Sequence, residues 1–207
     1  MAITRIIKPS ITDDAVDNTK LDLADNYAFT GTVSGASSLV KVADILSSTS
    51  SNTHDAVGCF SSTYDSYFFD LKAKPQNASY QIGMQFLNNT TAIETGYYGG
   101  VYGYGDNNAV YNYRMSSHPR AIILDDHSNS RRGIVQGYIT APLSTEANFK
   151  RINWCGGSFN NVNVFYALSG SCWNTTTTSC DGIRFISNGS PINYISCQIY
   201  GVVGTRS

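Results

Sequence analysis

The sequence predicts an all-β fold, an antiparallel β-sandwich of jelly-roll-like form, preceded by an extended N-terminal arm. Three observations carry that expectation. From Leu39 onward the chain breaks into short aromatic and β-branched runs cut by Gly, Asn and Ser. Several of these runs alternate apolar and polar residues, the pattern of a strand with one buried face. No apolar pattern of helical period extends beyond about ten residues. Composition agrees. Charged residues make up 14% of the chain, against about 25% in an average domain, and 14 Tyr, 9 Phe and 18 Gly take up the difference.

Residues 1–36 are assigned to an attachment and oligomerisation arm, and residues 37–207 to the sandwich domain. Ile3, Ile6 and Ile7 form an apolar tip and are the candidate particle anchors. A helical turn can start after an N-cap at Thr12 or Asp13. Ile11, Val16, Leu21 and Leu23 are too sparse to stabilise an isolated helix, so they are the candidate oligomer contacts. Phe29 to Ala36 is rich in Gly, Ser and Thr and reads as a linker.

In the body the strand candidates are 39–45, 56–60, 66–72, 79–86, 109–114, 120–124, 133–139, 149–154, 161–168, 182–187 and 195–201. Tyr80, Ile82, Met84 and Phe86 fall on one face of their run, and Val162, Val164, Tyr166 and Leu168 on one face of theirs. Turn residues recurring about every 8–12 positions suit a sandwich.

A net charge of −1 gives no electrostatic case for nucleic acid or an anionic membrane as partner. No window reaches the roughly 20 apolar residues of a membrane span. The apolar stretch at the N-terminus is short and is interrupted by Arg5, Lys8 and Pro9, unlike a signal peptide.

Cys59, Cys155, Cys172, Cys180 and Cys197 form no CxxC pair. They read either as a disulfide or metal site or as small buried hydrophobes, and the second is favoured. Asp125-Asp126-His127, followed by Arg131-Arg132, offers metal ligands or an acid and base, or else a solvated hairpin loop. Asp106-Asn107-Asn108 offers oxygens to calcium but reads more simply as a turn. His54 and His118 have no partner at metal spacing, and Cys155 has no base at a recognisable offset. No catalytic residue, metal ligand or cofactor is therefore expected, and the chain does not read as an enzyme.

The unusual segment runs from Gly96 to Gly105, with Tyr97, Tyr98, Tyr102 and Tyr104 on a glycine-rich backbone. These tyrosines are candidate contacts to a receptor glycan or a neighbouring subunit. The alternative is a long hairpin with ordinary cross-strand aromatic pairs.

Two stretches carry a resemblance. Phe60-Ser61-Ser62-Thr63-Tyr64-Asp65-Ser66-Tyr67 gives the pattern F-S-S-x-Y-D-x-Y. Gly182-Ile183-Arg184-Phe185 leads through Asn188-Gly189 to Ile195-Ser196-Cys197-Gln198-Ile199-Tyr200-Gly201. With Ile11, Ala15-Val16 and Lys20-Leu21 of the arm, these resemble small β-sandwich appendage and fibre proteins of tailed phages, especially marine and cyanobacterial ones. Cys197 stands where that pattern commonly has Gly. The resemblance implies a virion component, often a trimer, with no catalytic residues. It would be a head decoration or short fibre, assembled in the host cytoplasm and bound to capsid or tail proteins. A host-surface glycan is a further partner. The alternatives are a tail fibre component and a free carbohydrate-binding module or lectin.

Overall fold

The computed structural model describes residues 39–77, 80–105, 110–127, 131–159 and 165–203, without the side chains at 80, 104–105, 110–111 and 125–127. The described residues hold strands, turns, bends and an isolated bridge, with no helix among them. The strands are β1 (Leu39–Ser47), β2 (Thr53–Ala56), β3 (Ser66–Pro75), β4 (Tyr80–Asn88), β5 (Thr91–Ala92), β6 (Tyr97–Gly105), β7 (Val110–His118), β8 (Ala121–His127), β9 (Gly133–Thr140), β10 (Lys150–Phe159), β11 (Phe165–Asn174), β12 (Gly182–Ser187) and β13 (Ile192–Val202).

They form an antiparallel sandwich. The large sheet has eight strands in the order β1-β13-β3-β9-β10-β11-β6-β7. The small sheet runs β2-β12-β4-β5, with β8 also paired to β4. Period-two patterning sets which face is buried. On β9, Val135 and Ile139 are buried while Ile134, Gln136, Tyr138 and Thr140 are exposed. β3 buries Tyr67, Phe69, Leu71 and Ala73 on the same inner face. Ile82, Met84 and Phe86 on β4, with Ile183 and Phe185 on β12, join them in one core. β8 is a continuous apolar run, Ala121 to Leu124, and all four residues are fully buried. Such a run suits a strand covered on both faces.

The Phe60–Tyr67 segment is a corner that turns the chain from the small sheet into the large one. The rings of Phe60 and Tyr67 lie 4.5 Å apart, and Tyr64 sits edge-on to Tyr67 at 5.9 Å. The Tyr67 hydroxyl accepts from the Ser61 amide at 2.7 Å and donates to the Ser61 carbonyl at 2.9 Å. The Tyr64 ring lies flat over Gly201 of β13, where a Cβ would come within 2.4 Å of it. Arg184 points away from the core, as the alternation requires. Its Nε and Nη2 each donate to Asp55 at 2.8 Å, tying β12 to β2.

Several expectations are corrected. Candidate 56–60 is not a strand. β2 ends at Ala56, and Gly58 at a φ of 67° turns the chain away. For Gly96 to Gly105 the hairpin alternative holds, because β6 pairs along its length with β7 and with β11. Residues 125–132 do not close a hairpin, since β8 pairs with β4 and β9 belongs to the other sheet. β11 begins at Phe165, and Val162 and Val164 lie outside the described residues.

Replacing Gly201 by Ala should destabilise the protein by about 1–3 kcal/mol, because the Tyr64 ring has to move. Urea denaturation of G201A, Y64A and the double mutant checks this. The cost of G201A should shrink once Tyr64 is gone, and full additivity would refute the contact as the cause.

Candidate functional site

The outer face of the large sheet carries the candidate site. Its residues are the ones that alternation turns away from the core. In one register line Tyr200, Phe68, Tyr138, Asn153, Ser171 and Gly100 stand opposite one another across six strands. The Phe68 ring packs on Tyr138 at 5.4 Å and on Tyr200 at 6.2 Å. In the neighbouring line Thr140, Arg151, Trp173 and Tyr98 are opposite one another. Tyr98 stacks on the Trp173 indole at 5.9 Å with the planes 16° apart.

Two clefts open between these side chains. One, of about 360 Å³, is lined by Asn148, Arg151, Asn153, Ser171 and Trp173. The other, of about 420 Å³, is lined by Phe68, Gln136, Tyr138, Asn153 and Cys155, with the backbone at Gly137, Trp154 and Gly170 beneath. Asn153 belongs to both, so they adjoin. Beneath them Trp154 is buried on the core side, and Gly170 makes room for it. A Cβ at Gly170 would lie 2.2 Å from Trp154 Cζ2.

Asn148 reaches the first cleft from the loop between β9 and β10. Its backbone is left-handed, with φ at 66°, a conformation Asn tolerates better than most residues. Lys150 holds that loop. Its side chain is fully buried, and its Nζ donates to the Ser144 carbonyl and, at 3.0 Å, to the Thr176 carbonyl. Burial pushes the ammonium pKa below its ordinary value. Asn174, also fully buried, donates to the Thr95 carbonyl at 2.9 Å and accepts from the Thr176 amide at 2.8 Å. The two side chains fix the rim from below.

The four tyrosines part company. Tyr97 is a correction: it is fully buried, its ring stacks on Phe86, and its hydroxyl accepts from the Phe86 amide at 2.6 Å. Burial raises its phenol pKa well above the ordinary value. Tyr97 therefore packs the core and offers nothing to a partner. Tyr98 supports Trp173, and Tyr102 is 41% exposed on the same outer face. Tyr104 lies on β6, with its side chain outside the description. Ile3, Ile6, Ile7, Ile11, Val16, Leu21 and Leu23 lie outside the described residues, as do Asp106, Asn107 and Asn108.

Two polar groups elsewhere serve local structure. The His118 Nδ1 is 2.8 Å from the Arg120 carbonyl, and Asp181 accepts from the Asn89 amide at 2.8 Å. Among the described residues no group of three or more His, Cys, Asp and Glu is placed to hold a metal. Comparison with protein-family models, with curated proteins and with solved structures found no match for this chain.

Trp173, Arg151 and Asn153 escaped the sequence reading. The signal was present in the phase of β11. Leu168 and Cys172 are inner residues, so Ser169, Ser171 and Trp173 alternate outward.

All five cysteines are free thiols, and Cys155 alone is exposed. Burial raises the pKa of Cys59 and of Cys172 to about 12 and of Cys180 to about 11. A disulfide reagent at pH 8 should thus titrate one thiol in the native protein and five after denaturation. The raised thiols also set a sign for stability. It is full below the unfolded thiol pKa of about 8.5 and falls as pH rises from there towards 12, since the unfolded chain then loses protons first. Urea midpoints between pH 8 and 11 check this, and a flat profile would contradict it.

Replacing Lys150 by Ala should cost about 2–4 kcal/mol, through a cavity and two carbonyls left without their donor. Thermal unfolding measures the loss, and proteolysis within 141–149 should rise in step.

Proposed function

We propose that the protein is a non-catalytic structural component of a bacteriophage virion. It is an oligomeric head decoration or short fibre, held to the particle by its arm and meeting partners through the outer face of the large sheet. The observation that carries this reading is that face. It leaves Tyr102, Ile134, Tyr138, Phe165 and Trp173 each at least 40% exposed on a regular sheet. A large exposed apolar surface of this kind marks an interaction site. Of the charged and titratable groups beyond it, Asp55, Arg184, His118 and Asp181 are engaged in holding strands and turns. The resemblance of the Phe60–Tyr67 and Gly182–Gly201 motifs to phage appendage proteins gives the setting.

A free carbohydrate-binding module is the second reading. The cleft beside Trp173 favours it, because a supported indole ringed by amides and a hydroxyl suits a sugar. A tail fibre component differs from the first reading only in where the arm docks.

Two outcomes test the proposal. Light scattering of the full-length protein should give the mass of a trimer, and a clean monomer at micromolar concentration would count against it. Deleting residues 1–8 removes Ile3, Ile6 and Ile7, whose burial is worth roughly 1.5–3 kcal/mol each before ordering costs. The shortened protein should fold and stay soluble but no longer join the particle. Incorporation at the full-length level would place the attachment on the body instead.

A further inference from the structure

We infer that the cleft at Trp173 is a binding site for an acidic saccharide, with one pyranose ring on the indole and its anionic substituent on Arg151. This deepens the reading of the outer face as a contact surface and names the ligand class.

The first support is the orientation of the indole. Trp173 stands between Tyr98 on β6 and Arg151 on β10, its register partners to either side. Tyr98 occupies the β6 side of the ring by stacking on it. The cleft occupies the β10 side, where Arg151, Asn153 and Asn148 line it. An aromatic face is negative at its centre and attracts the slightly positive C–H face of a sugar ring. Tyr98 and the flanking strands hold the indole in place, so little freedom is lost when a ligand lands.

The second support is the polar complement. Asn148 and Asn153 each supply an amide, with a donor and an acceptor, and Ser171 supplies a hydroxyl. Alternating donors and acceptors around one aromatic plane match a ring bearing several hydroxyls. Among the described residues Arg151 is the one charged group in the lining, and none of them places a carboxylate in the cleft to neutralise it. A guanidinium so placed pairs with a carboxylate or similar anion, in fork geometry where the ligand allows.

The third support is extension. The adjoining cleft continues through Asn153 to Gln136, Tyr138 and Phe68. From β11 across β10 and β9 to β3 is three strand spacings, ~14 Å at the usual separation. That run holds a short oligosaccharide, with Tyr138 as a second aromatic platform at 51% exposure.

The test uses the full-length protein on a printed array of neutral glycans and glycans bearing uronic or sialic acids. The strongest ligand is then titrated by calorimetry and by the fluorescence of Trp173. Wild type should bind acidic glycans and favour them over neutral counterparts at least tenfold. W173A should lose binding at least thirtyfold. R151Q should lose the acidic preference while keeping neutral binding, and N153A should weaken both. Circular dichroism and light scattering confirm that each variant keeps its fold and mass, and R151Q on an exposed site guards against a folding failure of W173A. No glycan bound, binding unchanged in W173A, or a preference for neutral glycans that R151Q leaves alone would each overturn the inference. Binding of free acetate or phosphate as tight as that of the glycan would also overturn it, since Arg151 alone would then explain the affinity. Particle incorporation of W173A separates the two proposals: loss of sugar binding with normal incorporation leaves the virion reading intact.

Discussion

The corner between β2 and β3 is the place where the two sheets are tied together. Phe60 donates its amide to the Asp181 carbonyl at 2.9 Å, and Asp181 donates to the Leu87 carbonyl at 3.0 Å. That chain links the corner to the start of β12 and the end of β4. Tyr67 opens β3 and reaches back to Ser61 with both functions of its hydroxyl, while Tyr64 covers Gly201 of β13. Asp65 accepts from the Ala141 amide at 2.9 Å, so the loop between β9 and β10 hangs from the same corner. Lys150 then fixes the other end of that loop, and Asn148 takes its place at the cleft as a result. A buried aromatic clamp at one end of the sandwich thus determines the position of an amide on its outer face.

The chain's low charge acquires meaning in this setting. A flat sheet face covered in Lys and Glu would be solvated and inert. This face instead carries Phe68 packed against both Tyr138 and Tyr200. Aromatic side chains supply much contact area for little rotamer entropy, and amides supply directional bonds without the desolvation penalty of ions. The core beneath is built to keep the platform level. Gly170 admits Trp154 and Gly137 admits Phe69, so the large inner rings do not push their strands outward.

The sandwich was legible because its evidence is local. Alternation along 133–139 and 195–201 fixes both the strands and their buried faces, whereas the 79–86 run is a strand buried on both faces over Ile82 to Leu87. The cysteines were legible from the lack of CxxC or zinc-knuckle spacing, and four are buried free thiols, but Cys155, expected to be buried with them, is exposed. The tyrosine segment was not legible. Glycines and tyrosines mixed over 96–105 suit a flexible loop as well as a strand, and only pairing to β7 and β11 decides between them. That pairing also splits Tyr97 from Tyr98, one to the core and one to the surface. Trp173 was hidden differently. Its value as a platform depends on Tyr98, Arg151 and Asn153, which come from two other strands and meet it only in register. Lys150 was unreadable in principle, because nothing in a sequence says that an ammonium is to be spent on two loop carbonyls.

The placement of β13 bears on how the chain comes into being. The last described strand lies between β1, the first described, and β3, pairing with both. Until it emerges from the ribosome, the large sheet is missing an inner strand, and β1 has no neighbour in it. Closing so long a stretch of chain is slow, because the entropy of bringing its ends together is lost before the contacts form. During that interval β1 and β3 present unpaired edges. A leading chain on one message then offers its β13 to a following chain that does not yet have its own. Strand exchange between newborn copies competes with closure of the single chain, and the outcome depends on how crowded translation is.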